Sequence, residues 1–120
     1  MYAKEKLMKR EFIRTNEFEK CWKRLGLSEM EQSELETYLC ANPKAGNIIR
    51  GTGGLRKLRW SLPDTGKSGG IRVVYVDFTF YEKIYFISAY PKSKKITLTK
   101  EECNVIKKFI KELKGELERK

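Results

Sequence analysis

Histidine is absent from the 120 residues. The side chain that most often moves protons near neutral pH, and most often ligates transition metals, is therefore unavailable. Cysteine is scarce: Cys21, Cys40 and Cys103 stand far apart, with no CxxC pair and no histidine to complete a zinc set. Free, buried thiols are expected, and neither a metal nor a cofactor is implied. No apolar run approaches the roughly 20 residues of a membrane span. The first ten residues, Met1 to Arg10, lack the apolar core of a signal peptide. A cytoplasmic chain with no membrane partner is the default expectation. Residues 1–7 match no element and read as a disordered leader, with Met8 as an alternative start. There is no internal repeat and no low-complexity linker, so residues 1–120 are expected to form one domain.

The charge is abundant and unevenly placed. Residues 1–43 carry 8 basic and 8 acidic side chains, residues 44–100 carry 12 and 3, and residues 101–120 carry 6 and 5. Nearly all of the net +10 thus sits in residues 44–100, a little under half of the chain. A charge needed only for solubility would be spread along the chain. A localised one predicts a polyanionic partner. The choices are nucleic acid, an acidic protein or anionic lipid, and no basic amphipathic helix supports the lipid.

Hydrophobic periodicity predicts the order β-α-α-β-β-β-α. Phe12–Arg14 reads as a short strand. Asn16 can cap a helix over Glu17–Leu25, ended by Gly26, with Phe18, Cys21, Trp22 and Leu25 on its apolar face. Ser28 and Glu31 make a capping-box pattern for a second helix, Glu29–Ala41, whose expected apolar face is Met30, Leu35, Tyr38 and Leu39. A glycine-bearing loop spans 44–54, with Ile48 and Ile49 as its expected anchor. Strands are expected at Leu55–Leu62, Ile71–Phe78 and Lys83–Tyr90. Their short connections favour antiparallel neighbours. Thr99 and Glu102 open a last helix, Lys100–Glu118, with Cys103, Ile106, Ile110, Leu113 and Leu117 as its stripe. The fold class is α+β: a small antiparallel sheet with an N-terminal helical hairpin and a C-terminal helix, the helices expected on one face.

Two glycine-punctuated basic segments dominate the strand region, Gly51-Thr-Gly-Gly-Leu-Arg-Lys-Leu-Arg-Trp60 and Gly66-Lys-Ser-Gly-Gly-Ile-Arg72. The second resembles the tail of a P-loop. It fails as one because position 61 is serine where glycine is required, and because a strand pattern follows where a helix should. The first is either a plain turn or a close backbone approach to phosphate. Arg56 and Lys57 cannot share a face of a regular strand, so a bulge or a later strand start is expected there. Antiparallel order brings Tyr90 and Lys92, at the end of one strand, towards Arg72 at the start of its neighbour. Lys94 and Lys95 follow in the same loop. With no histidine, any proton transfer at a phosphate falls to lysine or tyrosine, whose pKa neighbouring cations lower. Arginines would clamp the phosphate and stabilise the transition state.

The run from Gly51 to Arg59, then Gly66 to Tyr75, then Phe86-Ile-Ser-Ala-Tyr-Pro-Lys92, resembles the RelE/HigB superfamily of bacterial type II toxins, and most of all its HigB-like branch. Asn42-Pro-Lys-Ala-Gly46 fits that branch as well. The resemblance implies the RelE-like fold and a ribosome-dependent mRNA interferase that cleaves messages in the ribosomal A site. It also implies a cognate antitoxin, in this branch commonly a helix-turn-helix protein. By the same resemblance Arg72 falls at the family's phosphate-stabilising arginine, Arg56, Lys57 and Arg59 in its basic strand, Lys67 at a loop lysine, and Lys92 near a second functional cation. Tyr90 stands near the place of a catalytic tyrosine. Catalysis is thus expected from Arg72, Lys67, Arg56, Lys92 and Tyr90, and RNA contact from Lys57, Arg59, Lys94 and Lys95. A non-catalytic nucleic-acid- or ribosome-binding module using the same basic sheet stays open beside it.

Overall fold

The computed structural model describes residues 9–62 and 70–119. The leader, Met8, Lys67 and the rest of the Gly66-Lys-Ser segment lie outside the described residues. Five strands, β1 (Glu11–Arg14), β2 (Asn47–Ile48), β3 (Leu55–Ser61), β4 (Gly70–Phe78) and β5 (Lys83–Pro91), form one sheet in the order β1-β5-β4-β3-β2. Three helices accompany it: α1 (Asn16–Arg24), α2 (Glu29–Ala41) and α3 (Lys100–Glu118). The three expected long strands are antiparallel neighbours. The sheet as a whole is mixed, because β1 joins β5 in parallel, Glu11 opposite Lys83 through Arg14 opposite Phe86. The short β2, in the segment expected to be loop, pairs with β3.

The helices do not share a face of the sheet, as the sequence reading expected. Phe18, Trp22, Leu35 and Leu39 of the hairpin pack with Leu58, Val73, Tyr75 and Phe86 on one side. Ile110 and Leu117 of α3 pack with Leu55, Val74, Val76 and Phe78 on the other. The cause is written in β4. From Val73 to Val76 every residue is buried, which a one-sided antiparallel strand does not need and a strand covered on both faces does. The same arrangement resolves the irregular pattern of β3 without a bulge. Leu55, Lys57 and Arg59 face α3, while Arg56, Leu58 and Trp60 face the hairpin.

Local signals set the helix starts. The capping boxes at Ser28–Glu31 and Thr99–Glu102 are both closed. At α1 the cap is Thr15 rather than Asn16: its hydroxyl accepts from the Phe18 N–H and donates to the Phe86 carbonyl at 2.8 Å, tying the helix start to β5. In α2 the expected face is half right. Leu35 and Leu39 are buried, but Met30 is exposed and Tyr38 lies at the surface against Trp60. Gln32 takes the buried place instead, donating to Glu19 of α1 at 3.1 Å. All three cysteines lie in helices and outside any disulfide; Cys21 is buried, while Cys40 and Cys103 are partly exposed. None of the described helices is long and apolar enough to cross a membrane.

Candidate active site on the sheet

The site is built by register. Across three strands, Arg59 of β3 stands opposite Arg72 of β4, and Arg72 opposite Tyr90 of β5. Directly opposed residues of an antiparallel sheet keep their side chains on one face, about 4.5–5.5 Å apart at Cβ. One pleat further along the same face, Lys57 stands opposite Val74. At the end of β5 the Lys92 N–H donates to the Gly70 carbonyl at 2.9 Å, so Lys92 follows Tyr90 past the start of β4. Arg59, Lys57, Arg72 and Lys92 form no ion pair among the described residues, and the only carboxylate of the described part of β3, β4 and β5, Asp77, is at the far end of β4 bonded to Arg10. Like charges held this close without a counter-charge raise the energy of the empty site and favour an anion over it.

Tyr90 reaches this face because β5 is bulged. The register slips between Val74, opposite Ser88, and Tyr75, opposite Phe86, leaving Ile87 without a partner. Strict alternation from Ile84 and Phe86, which face the hairpin, would send Tyr90 to the hairpin as well. The extra residue reverses the parity, so Ala89 turns to the hairpin and Tyr90 to α3 beside Arg72. Nothing in the composition of Phe86–Tyr90 signals this, and Ile87 escapes a reading of sequence for that reason. Tyr90 is 9 % exposed. Burial pushes its phenol above the ordinary value, and the Arg72 guanidinium draws it only part of the way back. The cationic lowering expected from the sequence is present but is outweighed by desolvation. A cleft of about 220 Å³ opens beside the row, with Lys57 and Tyr90 at its rim of polar groups and Ile49, Leu55, Ile96 and Ile106 among its apolar walls.

The remaining expected residues divide clearly. Lys94 and Lys95 are exposed in the segment after β5, where the Lys94 N–H donates to the Pro91 carbonyl at 3.0 Å. They neighbour the row without joining it. Lys67 lies outside the described residues. Arg56 is placed on the opposite face and is already engaged. Its guanidinium donates to the Gly46 carbonyl at 2.7 Å and the Lys44 carbonyl at 3.3 Å. Beside it the buried Tyr75 hydroxyl accepts from the Gly46 N–H and donates to the Pro43 carbonyl, both at 2.9 Å. A side chain at Gly46 would come within 3.0 Å of the Tyr75 ring and 3.1 Å of the Lys57 backbone. Asn42–Gly46 is thus a loop clamped from below by Tyr75 and Arg56, not a lining of the Arg72 row.

A sheet covered by helices on both faces, with an Arg–Arg–Tyr row at one end that no carboxylate of the described strands neutralises, defines a small α+β protein with a localised cationic surface. A family model described as the RelE toxin of the RelE / RelB toxin–antitoxin system matches residues 9–120. The chain belongs to the RelE toxin family, whose members are toxins of toxin–antitoxin systems and generally mRNA interferases; membership implies a cognate antitoxin.

Proposed function

We propose that this chain is a single-domain toxin of the HigB-like branch, a metal-independent endoribonuclease that cleaves messenger RNA in the A site of the ribosome. The observation that carries the reading is the in-register row Arg59–Arg72–Tyr90, with Lys57 on the same face. Arg72, at its centre, holds the scissile phosphate and stabilises the extra negative charge of the pentacoordinate transition state. Arg59, Lys57 and Lys92 track the flanking phosphates, and Lys94 and Lys95 extend that track. Tyr90 is a neutral phenol at neutral pH, since its pKa lies above the ordinary value. It therefore donates a hydrogen bond to the phosphate oxygens or to the departing 5′-oxygen, rather than taking the 2′-hydroxyl proton. Lys67, three residues before β4 in the sequence, supplies a further cation. The chain has no histidine, and the row itself offers Arg, Lys and Tyr, which are poor acids and bases at neutral pH. A site of that kind gains most from a partner that pre-orients the RNA, which is the physical argument for ribosome dependence. A helix-turn-helix antitoxin and the HigB-like assignment rest on the resemblance carried by Asn42–Gly46, Gly51–Arg59, Gly66–Tyr75 and Phe86–Lys92, and a cytoplasmic setting belongs to the same proposal.

The raised phenol of Tyr90 favours a second reading, a binding module that occupies RNA without cutting it. One experiment separates the two. A defined message is translated in a reconstituted system with the purified chain, and breaks are mapped by primer extension. Breaks in register with codons, absent from the same message without ribosomes and reduced about 10²–10³-fold by Arg72→Ala, support the nuclease. Binding without breaks, or breaks indifferent to Arg72→Ala, refutes it.

A further inference from the structure

The glycine turn Gly51–Gly54 and the most exposed aromatic among the described residues meet at the far end of the same sheet face, away from the Arg72 row. Phe80 stands in the single 3-10 turn Thr79–Tyr81 between β4 and β5 and is 88 % exposed, edge-on to Tyr81 with ring centroids 5.0 Å apart. Across a groove of about 430 Å³, α3 presents Lys107, Lys111 and Lys114, and Gly53 and Gly54 close its third side. The lysines recur at spacings of four and three, so they form one row along the helix. None of the three ammonium groups has an ion pair or hydrogen bond among the described residues. The only carboxylate that lines the groove, Asp77, is already held by Arg10 and Thr79. The turn itself is fixed from inside by the buried Thr52, whose hydroxyl donates to the Ile49 carbonyl at 2.6 Å and accepts from the Leu55 N–H at 3.1 Å. Gly53 and Gly54 take φ of 79° and 126°. A side chain at Gly53 would press on Lys107 at 3.2 Å.

We propose that this groove is a second RNA-binding site, separate from the Arg72 row, which holds unpaired nucleotides by stacking a base on Phe80 and placing their phosphates on Lys107, Lys111 and Lys114. A flat, uncovered aromatic beside a row of point cations is the combination that binds single-stranded nucleic acid without enclosing it. An acidic peptide would meet the same lysines but would find no enclosed hole for an apolar anchor, because Phe80 stands out from the surface. Arg72 and Phe78 are six residues apart on β4, about 20 Å along the strand, so one nucleotide cannot occupy both sites. The site does not depend on whether the Arg72 row cleaves RNA.

The test uses the full chain carrying Arg59→Ala and Arg72→Ala, which weakens the first site, and a fluorescent ten-nucleotide unpaired RNA followed by anisotropy. That background is expected to keep a measurable affinity. Adding Phe80→Ala should weaken it roughly tenfold to a hundredfold, and Lys111→Gln should lower the slope of log affinity against log salt by about 0.7. Phe80 is exposed, so its replacement leaves the core intact, which circular dichroism checks. An affinity unchanged within twofold by both substitutions overturns the proposal. So does Phe80-dependent binding of poly-glutamate by a background that does not bind the RNA, since that result gives the groove to an acidic protein partner. Cleavage lost with Arg72→Ala while Phe80-dependent binding persists leaves this site standing, so the two proposals fail separately.

Discussion

Arg56 and Arg72 lie on neighbouring strands, carry the same charge and fall in the same basic region, residues 44–100, yet the fold gives them opposite tasks. Replacing each by alanine should therefore give a double dissociation. Arg56 makes one strong, partly buried bond to the Gly46 carbonyl at 2.7 Å and one weak, exposed bond to the Lys44 carbonyl at 3.3 Å. A hydrogen bond from a charged donor contributes about 1.5–3 kcal/mol, and the exposed one adds little. Arg56→Ala should then cost about 2 kcal/mol, or about 8 °C in Tm for a chain of this size. The Arg72 side chain has no ion pair or hydrogen bond among the described residues and sits beside the like charge of Arg59. Arg72→Ala should change stability by less than about 1 kcal/mol, lower the salt slope of RNA binding by about 0.7 and remove cleavage. Urea titration gives the stability of each variant, and the translation assay, run well below both Tm values, gives the activity. If folded Arg56→Ala loses activity as completely as Arg72→Ala, the assignment of the two side chains to opposite faces is refuted.

Three further outcomes follow from the same contacts. Asp77 and Arg10 form a buried pair at 2.8 Å with side chains 1 % and 6 % exposed, so Asp77→Ala should cost about 3–5 kcal/mol by calorimetry or urea, and a cost under about 1 kcal/mol would contradict the pairing. Gly46→Ala should destabilise by about 1–3 kcal/mol, because the new methyl meets the Tyr75 ring and the Lys57 backbone, neither of which can withdraw. Burial raises the phenol pKa of Tyr75 despite its hydrogen bond from Gly46. The folded state therefore holds this proton to higher pH than the unfolded state does. Stability is complete below about pH 10, where both states are protonated, and falls as the pH rises from the unfolded value through the raised one. A chemical-denaturation series from pH 8 to 11.5 should show the decline starting near pH 10, with a smaller decline in Tyr75→Phe; equal slopes would place the effect elsewhere.

The sequence alone determined much of this protein, for reasons that are local. Ser28–Glu31 and Thr99–Glu102 announce two helix starts because a capping box needs only four consecutive residues. The apolar stripe of α1 and the Val- and Tyr-rich β4 follow from period and propensity. The concentration of charge in residues 44–100, with no histidine, is a matter of counting. The nearness of Arg72 to Tyr90 follows from antiparallel order once the two strands are known.

What only the tertiary structure decided depends on parity and on layers. Whether helices cover one face or both is not encoded in any one element, and α3 could be placed only when its stripe met Val74, Val76 and Phe78. That second layer explains why β3 alternates irregularly, and it sends Arg56 to the Asn42–Gly46 loop while Lys57 and Arg59 go to the open row. The bulge at Ile87 is the sharpest case. One unpaired residue, invisible in composition, reverses which side of the sheet Tyr90 occupies, and burial there raises a phenol that nearby cations alone would have lowered. Charge and residue type are properties of the chain, but the face a side chain reaches and the water it loses are properties of the packed sheet.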